Sequence, residues 1–166
     1  MKNKTEVIAE PGKQELFIIR EFEAPAELVF KAFTDPELIV QWMGVCEMTP
    51  SIDRYENREG GYWRFLHTDQ KGNIFGFHGV IHELTPAVRI IRTFEFEGLP
   101  EKGHVVMETL RFEKLGGRRT KIVIQSVFQS VADRDGMVQS GMENGVSEAH
   151  RNLDELFVQL TSVAVN

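Results

Sequence analysis

The sequence predicts one α+β domain in which a curved antiparallel sheet of seven strands wraps around a long C-terminal helix. Six consecutive segments between residues 47 and 129 are rich in strand-forming residues, and several of them alternate apolar with polar positions, as half-buried strands do. After them, apolar residues recur at spacings of three and four over residues 146–163, which is typical of a helix with one buried face. Because this apolar stripe is long, we expect the helix to cover one face of the sheet.

A strand and two short helices precede these six segments. Residues 16–22 are rich in residues that favour strands. Pro25 is well placed for a first helical turn, and Asp35 has the position of an N-cap, with Pro36 as the first residue of the second helix. Gly44 can end that helix. We therefore expect two short helices between the first and second strands, where they would close one end of the sheet.

The later strands are predicted from the turns between them. Clusters of Gly, Pro, Asn and Asp separate the segments, and such short connections join antiparallel neighbours. The predicted strands are residues 47–54, 62–68, 75–84, 88–97, 104–114 and 119–129. Ser140 and Glu143 form a capping-box pattern, which predicts the start of the long helix. We expect the domain to occupy residues 15–163 and the polar residues 1–14 to form a flexible tail.

Composition and charge argue against several classes of protein. The formal net charge is −6, and no dense stripe of Lys and Arg is present, so we expect no nucleic-acid partner. Cys46 is the one cysteine, which excludes an internal disulfide and disfavours a cysteine-based zinc site. The sequence has no signal-peptide pattern and no apolar run of about 18 residues. We therefore expect a cytoplasmic protein without a membrane span.

A series of short motifs runs through residues 11–160. The motifs are Ala24-Pro25, Thr34-Asp35-Pro36-Glu37, Glu59-Gly60-Gly61-Tyr62-Trp63-Arg64-Phe65, Phe77-His78-Gly79-Val80, Gly116-Gly117-Arg118-Arg119-Thr120 and Arg134-Asp135-Gly136-Met137. In this order and spacing they make the chain resemble the START-like superfamily, also called SRPBCC, helix-grip or Bet v allergen-like, in the branch named after the activator of the heat-shock-protein-90 ATPase. The resemblance implies the helix-grip fold. It does not imply one function, because this superfamily holds carriers, enzymes and interaction modules.

Two charged residues fall on the predicted inner face of the sheet. Arg92 lies two residues from Phe94, and Glu108 lies two residues from Leu110, so each shares a face with an apolar side chain. If the apolar residues face the helix, both charges point inward, and a buried charge must be paired. The pair would then be either a structural ion pair or the polar end of a ligand cavity. Both alternatives stay open at this point.

The crowding of large side chains on this face predicts an apolar cavity between sheet and helix. The predicted ligand-binding residues are Trp42, Trp63, Phe65, Arg92, Phe94, Glu108, Leu110, Met142 and Val146. Trp42 is expected near the cavity mouth. His78 and His82 lie four residues apart on a predicted strand, about 13 Å, which is too far to share one metal ion. Nucleotide-binding and nucleophile motifs are absent from the sequence, so we assign no metal, no cofactor and no catalytic residue.

Three functions are compatible with these features. The leading hypothesis is binding of an apolar or aromatic small molecule in the cavity. The alternative is an enzyme of the polyketide cyclase or dehydratase type, in which Arg92, Glu108 or His67 would transfer protons. The third is a protein-interaction module related to chaperone ATPase activators, with a chaperone or another protein as partner. An acid and a base around an open volume would favour the enzyme, and a large apolar outer patch would favour the interaction module.

Overall fold

The computed structural model describes residues 3–163 as a single antiparallel sheet with four helices. The strands are β1 (Glu6–Ile8), β2 (Glu15–Phe22), β3 (Thr49–Tyr55), β4 (Tyr62–Thr68), β5 (Ile74–Thr85), β6 (Arg89–Phe96), β7 (Val106–Gly116) and β8 (Arg119–Val127). The helices are α1 (Ala26–Thr34), α2 (Pro36–Trp42), α3 (Val131–Gln139) and α4 (Met142–Val163). The strand order across the sheet is β1-β2-β8-β7-β6-β5-β4-β3. The α+β class, the antiparallel sheet and the long C-terminal helix are thus confirmed.

The sheet has eight strands rather than the predicted seven, because β1 forms within the predicted flexible tail. Glu6–Ile8 pairs antiparallel with Phe17–Ile19 of β2. The hydroxyl of Thr5, just before the strand, lies 2.9 Å from Nδ1 of His150 on α4. Three residues are too few to show the two-residue period of a strand in the sequence. The pairing with β2 and the contact between Thr5 and His150 hold β1 in place. The limits of the domain, residues 15–163, stay a prediction.

The helix starts show which local signals were informative. Asp35 caps α2 as predicted, since its carboxylate accepts the backbone N–H of Glu37 at 3.0 Å. The capping box at Ser140 and Glu143 is wrong. Ser140 instead ends α3, a helix that the sequence did not predict, and its hydroxyl donates to the carbonyl of Met137 at 2.6 Å. Ser130 caps the start of α3 and accepts the backbone N–H of Asp133 at 3.0 Å.

The main core lies between the concave face of the sheet and α1, α2 and α4. Leu153 and Leu156 of α4 are buried, as the apolar period predicts. Phe157, outside the predicted stripe, is buried as well, whereas Val163 at the end of that stripe is exposed. Every second residue of β2 and β8 is buried on the same side, which excludes a register slip in these strands. A second apolar cluster is formed by Ile39, Trp63, Phe65 and Ile81.

Polar contacts also hold α4 to the sheet. Arg20 of β2, which is 4% exposed, forms an ion pair with Asp154 of α4. His150 is buried against the ring of Phe22, with centroids 5.6 Å apart. Burial, with a smaller effect of the Arg20 charge, lowers the pKa of His150 to about 3. His150 is therefore neutral in the folded protein at neutral pH. None of the helices in residues 3–163 is long and apolar enough to cross a membrane.

Candidate functional site

An apolar cavity of about 640 Å³ opens between the concave face of the sheet and α3. Three walls enclose it: the sheet, the loop that joins β6 to β7, and the helix. The sheet contributes Phe77, Phe94, Phe96 and Val106, and Phe128 follows directly after β8. The loop contributes Leu99, Pro100, Glu101 and His104, and the helix contributes Ala132, Asp133, Gly136, Met137 and Ser140. The cavity therefore lies at the end of the sheet where α3, rather than α4, covers it.

The sheet wall is an aromatic platform. Strand alternation places Phe94 and Phe96 of β6 on the concave face, and Phe77 of β5 pairs directly with Phe96. The ring of Phe77 lies 5.6 Å from that of Phe94 and 5.1 Å from that of Phe96, with an interplanar angle of 31° in both pairs. All three rings line the cavity, and aromatic side chains make favourable offset or edge-to-face contacts with an aromatic guest.

The helix wall is open because a glycine stands in it. Gly136 lies in α3 and lines the cavity, and a Cβ atom built on it would have no heavy atom within 4 Å. A Cβ at this exposed position would therefore meet open space rather than a neighbouring side chain. Met137 lies beside Gly136 and adds a long, unbranched side chain that can adapt to a guest.

A polar cluster ties the loop wall to the helix wall. Nδ1 of His104 lies 3.0 Å from one carboxylate oxygen of Asp133 and 3.1 Å from the other. Nε2 of His104 lies 3.8 Å from the carboxylate of Glu101. The hydrogen bond and charge of Asp133 raise the pKa of His104, and Glu101 and Glu95 add to this effect. Glu95 also accepts the backbone N–H of Gly103 at 2.6 Å, which holds the loop from the sheet side.

The predicted inward pair forms deeper in the domain. Arg92 and Glu108 are direct partners of β6 and β7, and Nε of Arg92 lies 3.3 Å from Oε1 of Glu108. Their side chains are 14% and 17% exposed, so both face the interior without being sealed in it. The guanidinium of Arg92 also lies 5.5 Å from the centroid of the Trp63 ring. The pair is formed as predicted, and its contact with a ligand stays a prediction.

The structure corrects the predicted position of the cavity. Among the nine predicted ligand-binding residues, all of which the structure describes, Phe94 is the one that lines it. Arg92 lies two residues before Phe94 on the same face of β6, and Glu108 is the direct partner of Arg92 on β7.

The other six predicted residues are packed elsewhere. They are Trp42, Trp63, Phe65, Leu110, Met142 and Val146. Trp42 is a core anchor rather than a mouth residue, because its indole N–H donates to the carbonyl of Ala32 at 2.8 Å and its ring packs on Phe33. Met142 and Val146 pack against the main core instead of opening a cavity. Alternation predicts the face on which a side chain lies, but the distance to the covering helix depends on the tertiary packing.

Several lining residues were missed for different reasons. Phe96 and Phe128 follow the same alternation as Phe94 and could have been assigned with it. His104 and Asp133 are 29 residues apart and come together only through the fold, so no local signal marks them. Among residues 3–163, no group of His, Cys, Asp and Glu is arranged to hold a metal ion.

Comparison with solved structures shows the same architecture in several other proteins. A crystal structure from Rhodobacter sphaeroides is 25% identical, with a TM-score of 0.82, and the alignment covers 93% of this chain and 99% of that chain. A crystal structure from Mycobacterium smegmatis is 18% identical, with a TM-score of 0.82 and coverage of 92% and 96%. A solution structure from Arthrobacter aurescens is 23% identical, with a TM-score of 0.82 and coverage of 93% and 91%.

Comparison at the level of sequence gives the family. A search of curated proteins finds no match. Residues 23–158 match the sequence profile of a family described as activator of Hsp90 ATPase homolog 1-like protein. This match spans most of the chain, and the helix-grip architecture of the structure agrees with it. The protein therefore belongs to the family of activator of Hsp90 ATPase homolog 1-like proteins.

Proposed function

We propose that the domain binds an apolar or aromatic small molecule in the cavity between β5–β8 and α3. The observation that carries this proposal is the cavity itself, whose volume of about 640 Å³ lies within the usual range of ligand pockets. Its sheet wall consists of apolar side chains, among them Phe94 and Phe96, whose rings each lie at 31° to that of Phe77. A few polar groups, of which His104 and Asp133 are the closest pair, stand at one side and could orient a guest.

Burial of a guest would supply the free energy of binding. Removing apolar surface from water contributes about 25 cal/mol per Å². Each offset aromatic contact with Phe77, Phe94 or Phe96 would add about 0.5–1.5 kcal/mol. These contributions must exceed the cost of immobilising the guest, so a flat, rigid molecule would bind better than a flexible chain of equal area.

A cavity-blocking variant tests this proposal. N-phenylnaphthylamine, an uncharged probe that fluoresces in apolar surroundings, should bind the wild-type protein and lose its binding in Gly136→Phe. The added ring has free space to occupy, because a Cβ at this position meets no heavy atom within 4 Å. Gly136→Ala is the matched control, since it changes the same residue but leaves the cavity open. Circular dichroism and thermal unfolding establish that both variants are folded.

The outcome that contradicts the proposal is equally clear. Probe binding that is absent from the wild type, or that persists unchanged in folded Gly136→Phe, would remove this cavity as a ligand site. If the wild-type protein binds the probe, native mass spectrometry of protein purified from its own host would identify a natural guest. A cytoplasmic location stays a prediction from the sequence.

The arrangement of His104 favours an enzyme of the polyketide cyclase or dehydratase type as the second candidate. Asp133 binds one nitrogen of the imidazole and so orients the other, which is how acid–base histidines are commonly held. In this proposal His104 would transfer a proton at the cavity wall, a role that the sequence had assigned to Arg92, Glu108 or His67. Recovery of a guest that is chemically altered after incubation, and unaltered with His104→Gln, would favour the enzyme over the carrier.

Family membership leaves a protein partner as the third candidate. The family carries the name of a chaperone ATPase activator. A chaperone partner for this chain stays a prediction.

A further inference from the structure

We infer that the cavity selects aromatic molecules that carry no negative charge and rejects carboxylates and sulfonates. This inference rests on the proposed ligand-binding function and specifies the chemistry of the guest. It follows from the charges around the cavity, from the pairing of the nearest cations and from the shape of the aromatic wall.

Acidic groups dominate the rim of the cavity. Glu101 and Asp133 both line it, while His104 is its one basic lining residue among those that the structure describes. A third carboxylate, that of Glu95, lies behind the loop and is held by the backbone N–H of Gly103. With Glu101 and Asp133 ionised, even a fully protonated His104 leaves the rim with a net negative charge.

His104, the one basic residue among the lining residues that the structure describes, and the inward-facing Arg92 both have carboxylate partners, whereas Lys102 of the loop is exposed and does not line the cavity. His104 directs one nitrogen at both oxygens of Asp133, at 3.0 and 3.1 Å. Arg92 lies two residues from the lining residue Phe94, but its guanidinium is 3.3 Å from the carboxylate of Glu108. An anionic guest inside the cavity would therefore lose its hydration without meeting an unpaired cation among the lining residues. Like charges within about 4 Å repel by several kcal/mol in partly buried surroundings, which is ample to reverse a binding preference.

The aromatic wall favours the opposite kind of guest. The faces of aromatic rings carry partial negative charge, so they attract cations and the positive edges of other rings. The rings of Phe94 and Phe96 each lie at 31° to that of Phe77, and all three side chains line the cavity and offer aromatic surface to a guest. An uncharged or cationic aromatic guest is thus compatible with both the wall and the rim.

Two probes with one skeleton test the inference. N-phenylnaphthylamine is uncharged, and anilinonaphthalenesulfonate is the same skeleton with a sulfonate. We expect the wild-type protein to bind the uncharged probe at least about tenfold more tightly. In the double variant Glu101→Gln, Asp133→Asn, we expect the ratio of the affinity for the sulfonate to the affinity for the uncharged probe to rise about tenfold.

A matched control separates rim charge from net charge. Glu113→Gln removes an exposed carboxylate from the far end of β7, where Glu113 is 47% exposed and lies 3.5 Å from Lys121. It should leave the ratio of the two affinities unchanged. Asp133→Asn keeps the size of the side chain and one acceptor oxygen. The hydroxyl of Ser130 accepts the backbone N–H of this position, so the cap does not depend on the side chain. The fold of the variant is checked by circular dichroism.

The wild-type protein provides a second measurement that needs no variant. Added salt screens charges at the rim, so the affinity for the sulfonate should rise with ionic strength while that for the uncharged probe stays nearly constant. Equal affinities for the two probes, or a ratio unaffected by both the rim substitutions and salt, would overturn the inference and leave the proposed ligand binding standing. Failure of both probes to bind would overturn the proposed function and the inference together.

Discussion

Two histidines show how differently the two ends of this domain are built. His150 lies on the buried face of α4, 3% exposed, and contacts Thr5 and the ring of Phe22. His104 lies at the cavity rim, 35% exposed, between Asp133 and Glu101. Burial lowers the pKa of the first to about 3, and a carboxylate raises the pKa of the second. One end of the domain is therefore held by apolar packing, and the other by a charged contact between a loop and a helix.

The largest effect on stability is expected when a buried side chain of α4 is shortened. Leu153 is fully buried, so Leu153→Ala should lower the free energy of unfolding by about 2–5 kcal/mol, because it loses apolar contacts and leaves a cavity. Gln159→Ala on the exposed face of the same helix should change it by less than about 0.5 kcal/mol. Urea unfolding measures both. Similar small effects would show that α4 does not contribute its apolar face to the core.

The second prediction concerns the low pKa of His150. The unfolded protein binds a proton here below about pH 6.5, but the folded protein does not bind one until about pH 3. The contribution of His150 to the free energy of unfolding is therefore fully present above about pH 6.5. It falls with decreasing pH, by about 2 kcal/mol at about pH 5. Urea unfolding across this range should show a steeper loss in the wild type than in His150→Gln. NMR titration that finds an ordinary histidine pKa at His150 would contradict this.

The third prediction concerns the pair that lies between the two ends. Arg92 and Glu108 make a single contact at 3.3 Å and stay partly open to solvent. We expect a coupling free energy of about 1 kcal/mol, between the values for exposed and buried pairs. A double-mutant cycle over Arg92→Met and Glu108→Gln measures it by urea unfolding. A coupling free energy indistinguishable from zero would show that Arg92 and Glu108 contribute to stability independently of each other.

The smallest effect is expected at the rim. Because the pKa of His104 is raised in the folded state, its contact with Asp133 stabilises the fold at low pH, and this contribution is lost as the pH rises through the folded-state value, above about 6.5. Asp133→Asn should therefore cost more stability at about pH 6 than at about pH 9. The sign is opposite to that for His150. An equal cost at both pH values would show that the contact does not depend on the charge of His104.

The regular parts of the fold were accessible from local patterns. Six strands between residues 49 and 127, the two short helices and the buried face of α4 lie close to where alternation and helical spacing predict them. The same alternation correctly predicted that Arg92 and Glu108 face the interior. The short strand β1 was missed because three residues carry no period, and α3 was missed because its one buried residue is Arg134, not an apolar side chain.

Strand faces and the apolar stripe of α4 follow from the order of residues along the chain, because the period of a strand or helix is a local property of the backbone. The position of the cavity is not local. It depends on how far α3 lies from the sheet and on the path of residues 97–105, which bring His104 within 3.0 Å of Asp133. A space between elements is defined by the surfaces that enclose it, and here those surfaces come from residues as far apart in sequence as Phe77 and Ser140.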